Sequence, residues 1–187
     1  MKFAFALLVM VLAASAQAAP DIPPLAALAG VHVGIDTVQA LDRQLGPARV
    51  TVGGHPRGVH EWRSQQTGWG LHVDGFYYDD RDGRVIDTLS VFRPASDLAR
   101  LLPQADLPRK KLLFMGVVTL GMSRAEILRL LHAKLPPPER ETDKLVWKVE
   151  GARRFNSTNH HLFRAWSAKL RFDHDQLSDI TLDASQS

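Results

Sequence analysis

The chain uses one stretch twice, and this limits what it can fold into more than any other feature. Val31-His32-Val33-Gly34-Ile35-Asp36 leads into one amphipathic pattern, and Val118-Thr119-Leu120-Gly121-Met122-Ser123 leads into another. With Gly34 laid on Gly121, a shift of 87 residues, both give an apolar strand end, a glycine, an apolar residue, a capping residue and then a helix. That period exceeds the usual solenoid repeat, so it predicts two tandem small units and no open array.

The flanking residues set the elements. In the first copy Asp36 stands as helix cap with Gln39 three residues on, a variant of the capping box. Val38, Leu41 and Leu45 share one helical stripe, and Gly46-Pro47 ends it. In the second, Ser123 and Glu126 form a full capping box, Ala125, Leu128, Leu131 and Leu135 set the buried stripe, and Pro136-Pro137-Pro138 is the stop.

After each helix the period changes to two. Val59 to Arg63 reads as one strand and Trp69 to Tyr78 as a second with a bulge at Gly75. Asp79 to Arg84 makes a hairpin turn, and Val85 to Phe92 a third strand. In the second copy the strands lie around Leu145–Val149, Trp166–Phe172 and Ile180–Leu182, with His174-Asp175-Gln176 as a turn. Gly151 to Leu162 reads as a polar insertion without period. Trp62 matches Trp147 at a shift of 85, and Leu89-Ser90-Val91 matches Ile180-Thr181-Leu182 at a shift of 91.

The expected class is therefore α+β: two tandem repeats, each with one or two helices packed on a small antiparallel β-sheet of its own. Their bounds are 25–93 and 112–184, and 94–111 is the linker. Within that linker Ser96 to Leu102 suits a short helix. Arg109-Lys110-Lys111 is the densest basic cluster, read as a solvated linker end before a site for anionic lipid or an acidic partner.

Lys2 followed by the apolar run Phe3 to Ala14 and by Ala16-Gln17-Ala18 predicts a signal peptide over 1–18. Cleavage near Ala18, or two residues earlier after Ala14-Ser15-Ala16, would leave a periplasmic or secreted product. The chain has no cysteine, which excludes disulfides, thiol nucleophiles and a lipid anchor of the bacterial lipoprotein kind. No other apolar run is long enough for a membrane span. With 23 basic and 20 acidic residues the charge is close to balance, which argues against nucleic acid as partner. An apolar content of 45% and four Trp are enough for a core.

Strand alternation gives the candidate site. If Leu145, Trp147 and Val149 pack under a helix, Lys148 points away, and so do Lys169 and Arg171 beside Leu170 and Phe172. That positive cluster would suit another extracytoplasmic protein with an acidic surface. The first sheet would show Glu61, Arg63, His72 and Asp74, of mixed sign. Tyr77 and Tyr78 face opposite ways, so one is exposed as an interface anchor. Trp62 and Trp147 read as core. The rival site is His160-His161 with His174, Asp173 and Asp175, which lacks a regular metal-ligand spacing. Asp79, Asp80 and Asp82 are better explained by a hairpin than by a calcium loop. No G-x-S-x-G, phosphate-binding or dinucleotide motif is present.

The Gly34-Ile35-Asp36 and Gly121-Met122-Ser123 starts, each with an amphipathic helix and a meander carrying a Trp in its first strand, resemble the outer-membrane-assembly lipoprotein family BamE (SmpA/OmlA). The tandem arrangement resembles the secreted β-lactamase inhibitor proteins. The resemblance implies helices on one face of each sheet and a role in binding other proteins with no chemistry; no cofactor is expected. The chain departs from BamE in lacking the lipobox Cys. The expected function is a non-enzymatic protein-binding module of the cell envelope, either inhibitor or immunity protein or assembly accessory. The alternative is a small periplasmic hydrolase or metal-binding protein using His160, His161 and His174.

Overall fold

The computed structural model describes residues 23–51, 58–77, 83–155 and 161–186. The expected signal peptide, the Asp79-Asp80-Asp82 turn, Tyr78 and His160 lie outside them, as do the side chains of Tyr77 and His161.

A small hairpin, β1 (Ala27–Leu28) and β2 (Val31–His32), leads into helix α1 (Val38–Leu45). The cap is Thr37, one residue later than the sequence suggests: its hydroxyl accepts from the Ala40 amide at 3.2 Å. Asp36 is otherwise engaged, its carboxylate accepting from the His32 amide at 2.6 Å and its carbonyl from the Ile86 amide at 2.9 Å. Gln39 does not close a capping box either; its side-chain oxygen accepts from the Arg84 amide at 2.9 Å and pins the helix to the sheet.

Then come β3 (Arg49–Thr51), β4 (Val59–Ser64), β5 (Gly70–Tyr77) and β6 (Arg84–Phe92). The register between β5 and β6 shifts after Asp74, so Gly75 sits at a bulge. A Cβ there would come within 2.5 Å of the Val85 carbonyl oxygen, so only glycine fits. Arg84 belongs to the strand and not to the turn. It is buried, donating to the carbonyls of Gly58 at 2.8 Å and Gly75 at 3.2 Å, with the Asp74 carboxylate at 3.3 Å. A buried guanidinium is tolerable because it is so fully bonded.

Helix α2 (Ser96–Leu101) and the short strand β7 (Gln104–Ala105) follow, then a single 3-10 turn over Arg109–Leu112. Helix α3 (Arg124–Leu131) is capped by Ser123, whose hydroxyl accepts from the Glu126 amide at 3.3 Å. Its buried pair is Ile127 and Leu131, one turn apart, while Ala125 is exposed, so the stripe is turned from the expected one. A larger side chain hides more apolar area, and Ile127 outcompetes Ala125 for the core.

The last strands are β8 (Glu139–Arg140), β9 (Lys144–Phe155), β10 (His161–Asp173) and β11 (Gln176–Gln186). Gly151–Phe155 and His161–Leu162 extend β9 and β10 as a paired arm, so the expected polar insertion is mostly strand. His174 and Asp175, at φ 47 and 63, form the two-residue turn before β11.

The expectation of two separate small sheets, with helices packed on each in an α+β arrangement, is overturned. Among the described residues there is one large, mostly antiparallel sheet in the order β3-β4-β5-β6-β11-β10-β9-β8, with β7 parallel to β4 as its ninth strand. Strands β6 and β11 close the gap between the halves, Leu89 opposite Leu182, Ser90 opposite Thr181 and Val91 opposite Ile180. The physical reason is the edge: in each unit the third strand would otherwise present unpaired backbone groups, and the two edges satisfy each other. One cluster of buried residues runs from Leu25 to Ala184. Trp166 also ties the halves, donating its indole N–H to the Val33 carbonyl at 3.0 Å.

Matching bonds nonetheless recur in the two halves. The Gly34 amide donates to the Ile86 carbonyl and the Gly121 amide to that of Leu177, both at 2.7 Å. Trp62 donates to the Gly46 carbonyl at 3.0 Å and Trp147 to that of Pro136 at 2.9 Å, each tying a helix exit to the first strand of its meander. Ser90 and Thr181 match at the shift of 91 and bond to each other at 2.9 Å, so a pseudo-two-fold axis passes between them. Among the described residues no helix is long and apolar enough to cross a membrane.

Candidate functional site: the open face of the sheet

Alternation decides what each face carries. Trp62, Leu71, Val73, Leu89, Val91, Ile180, Leu182, Ala168, Leu170 and Trp147 are buried on one face, in the cluster that also takes Val38 and Leu41 of α1 and Ile127 and Leu131 of α3. The opposite face is the candidate site. Cross-strand register orders it in three rows. One runs Arg63, Gly70, Phe92, Asp179, Arg171, Lys144. The middle row runs Glu61, His72, Ser90, Thr181, Lys169, Val146. In the third, Asp74, Thr88, Asp183, Ser167 and Lys148 follow one another.

The three expected cations do share this face, all exposed. They are not a bare positive patch. Lys148 Nζ lies 2.7 Å from Glu139 of β8, Lys169 Nζ 2.9 Å from Asp183 of β11, and the Arg171 guanidinium 3.9 Å from Asp143. Lys144 adds a fourth cation, 3.4 Å from Glu141. Every one of these pairs is solvent-exposed to a substantial degree, so each is worth under about 1 kcal/mol and can be exchanged for a partner's charge. Lys144, Val146, Lys148, Lys169, Arg171, Asp179 and Thr181 surround a shallow depression of about 420 Å³.

Asp179 is the carboxylate between the two halves. Burial pushes its pKa up; the Thr181 hydroxyl, which donates at 2.8 Å, and the charges of Arg171 and His72 pull it back in part, and Asp183 pushes the same way as burial. Toward the first half, Glu61 is buried where the sequence suggested exposure, with Arg49 at 3.5 Å and His72 at 3.4 Å. A second, open hollow there, of about 290 Å³, is lined by Leu98 of α2 with Phe92, His72 and Glu61. A Cβ on Gly70 would fall 2.5 Å from the Phe92 ring, so the bare backbone of β5 is what lets that ring lie across it.

Sequence reasoning missed Asp179, Asp183, Glu139, Asp143 and Phe92. The first two were within reach: extending the alternation of Ile180 and Leu182 by one residue each way names them. Glu139 and Asp143 lie in segments without period, and nothing local aims them at β9 and β10.

Of the three histidines in the rival site, His174 alone has a described side chain; it is almost fully exposed, with Nδ1 2.8 Å from Asp173. Among the described residues no three His, Asp or Glu side chains are grouped so as to hold a metal ion. Within Arg109-Lys110-Lys111, Arg109 and Lys110 are exposed and Lys111 is half-buried. No family model matches the chain, and neither does any curated protein or solved structure.

Proposed function

We propose that this chain is an exported, non-enzymatic module that binds another protein through the open face of its sheet. The observation that carries the reading is that face: six strands locked in one register, polar, shallow and studded with weakly paired charges around the Phe92 ring. Such a surface offers complementarity and exchangeable charge, which give specificity and encounter rate. Across five strand spacings and two residue pairs it measures about 24 Å by about 14 Å between backbone positions. That is roughly half of the approximately 800 Å² per partner that a standard interface buries, so the rim and adjoining loops take part. A partner that brings carboxylates to Lys148, Lys169 and Arg171 would displace Glu139, Asp183 and Asp143 one for one.

The leader-like start of the chain supports export. The likeness of both Gly-apolar-cap starts to the BamE family supports a role in the cell envelope, as inhibitor or immunity protein or as assembly accessory. The test is affinity capture by the mature chain from a periplasmic extract, with mass spectrometry of what is bound. The triple replacement Lys148→Glu, Lys169→Glu, Arg171→Glu should lose the partner that the parent retains, and Lys134→Glu near the end of α3 should keep it. Equal capture by all three proteins would remove the open face from consideration.

A further inference from the structure

On the other side of the sheet, where α3 ends, the second half holds a cleft of about 280 Å³. Its walls are apolar: Leu128, Leu135, Pro137 and Trp147 line it, with the two leucines only half-buried. The one polar atom of Trp147 is already used, since its indole N–H is held by the Pro136 carbonyl at 2.9 Å. Three consecutive prolines fix their own φ angles and leave no amide to solvate, so this wall stands in place before anything binds.

The lining carries just two ionisable side chains, Arg140 and His132, both exposed at the mouth. Among the described residues neither has an ion pair or a side-chain hydrogen bond. The helix exit of the first half is built differently. There α1 ends at Leu45 and the very next carbonyl, Gly46, takes the Trp62 bond, whereas α3 ends at Leu131 and the bonded carbonyl comes five residues on, at Pro136. The added turn holds helix and strand apart.

We propose that this cleft is a binding site for a small amphiphilic carboxylate. Its apolar body lies against Leu128, Leu135, Pro137 and Trp147, and its anionic head meets Arg140 and His132. An apolar chamber with an unpaired guanidinium at its mouth and no acid in its lining selects for that charge sign: the head gains a charge-assisted bond and the body leaves water.

Octanoate is the probe, added to the full chain labelled with ¹⁵N. It should move the indole N–H signal of Trp147 and leave that of Trp62 in place, although both indoles make the same hydrogen bond. Arg140→Glu should weaken octanoate by at least about tenfold, and His132→Ala by a smaller factor. Octanol should bind more weakly than octanoate, and octylammonium more weakly again. The proposal is overturned by octylammonium binding as well as octanoate, by Arg140→Glu binding like the parent, by a Trp147 signal that octanoate does not move, or by Trp62 moving with it, which would mark general surfactant action.

Discussion

Where the first half of the open face carries Arg63, His72 and Asp74, the second carries Lys148, Lys169 and Arg171. The equivalence is set by structure: Arg63 and Lys148 each follow the bonded Trp, and His72 and Lys169 flank the Ser90–Thr181 pair from opposite sides. Asp74 and Arg171 face Thr88 and Asp179, which match at the shift of 91. Behind the sheet the halves share caps, glycine bonds and Trp anchors; in front of it they share almost nothing. Burial fixes side chains by shape, whereas a solvated face is free to change sign without cost to the core. The difference therefore separates a shared frame behind the sheet from a front whose side chains are free to diverge.

The largest effect should come from breaking the shared frame. Trp147→Ala and Trp62→Ala should each cost about 3–5 kcal/mol, measured by denaturant unfolding, and each should lower one common transition because a single core spans both halves. Two separate transitions, with only the mutated half weakened, would mean that the halves are independent after all.

Next is the front. Lys169→Glu with Arg171→Glu should weaken the captured partner by at least about tenfold, and Arg63→Glu by no more than about twofold. Equal losses would erase the functional contrast between the halves. Smaller still are the caps: Thr37→Ala and Ser123→Ala should each cost about 1 kcal/mol, and near equality is the signature of the common frame.

Asp179→Asn should have the least effect and the opposite sign. Because its pKa is raised in the folded chain, the ionised carboxylate opposes folding, and its relative advantage exists only when protonated, below the unfolded value of 3.8. The variant should melt higher than the parent at pH 7, and the gap should close as pH falls through the raised pKa toward about 3. A variant that melts lower at pH 7 would show that the carboxylate's bonds outweigh its desolvation.

The sequence could be read wherever the signal was local. Both helices follow from cap and period, the bulge at Gly75 from a glycine in an alternating run, and the outward aim of Lys148, Lys169 and Arg171 from a period of two. The single sheet was not legible, because alternation tells which face Leu89 and Val91 take but not which strand lies beside them. That β6 meets β11 depends on two edges 91 residues apart finding each other. Nor could Thr37 be preferred to Asp36 without knowing that Asp36 is drawn to His32 and Ile86. The cleft beside Trp147 escaped because a run of prolines announces where a helix stops, not what space it leaves behind.

The axis between Ser90 and Thr181 bears on how such a molecule can change. Two identical chains meeting on that line would be bound to mirror every replacement, so a lysine gained on one flank would arrive on the other as well. Once both copies travel on one polypeptide, that obligation lapses, and one flank can become cationic while its twin stays mixed. Joining the pair end to end is thus what permits a lopsided surface on a symmetric frame.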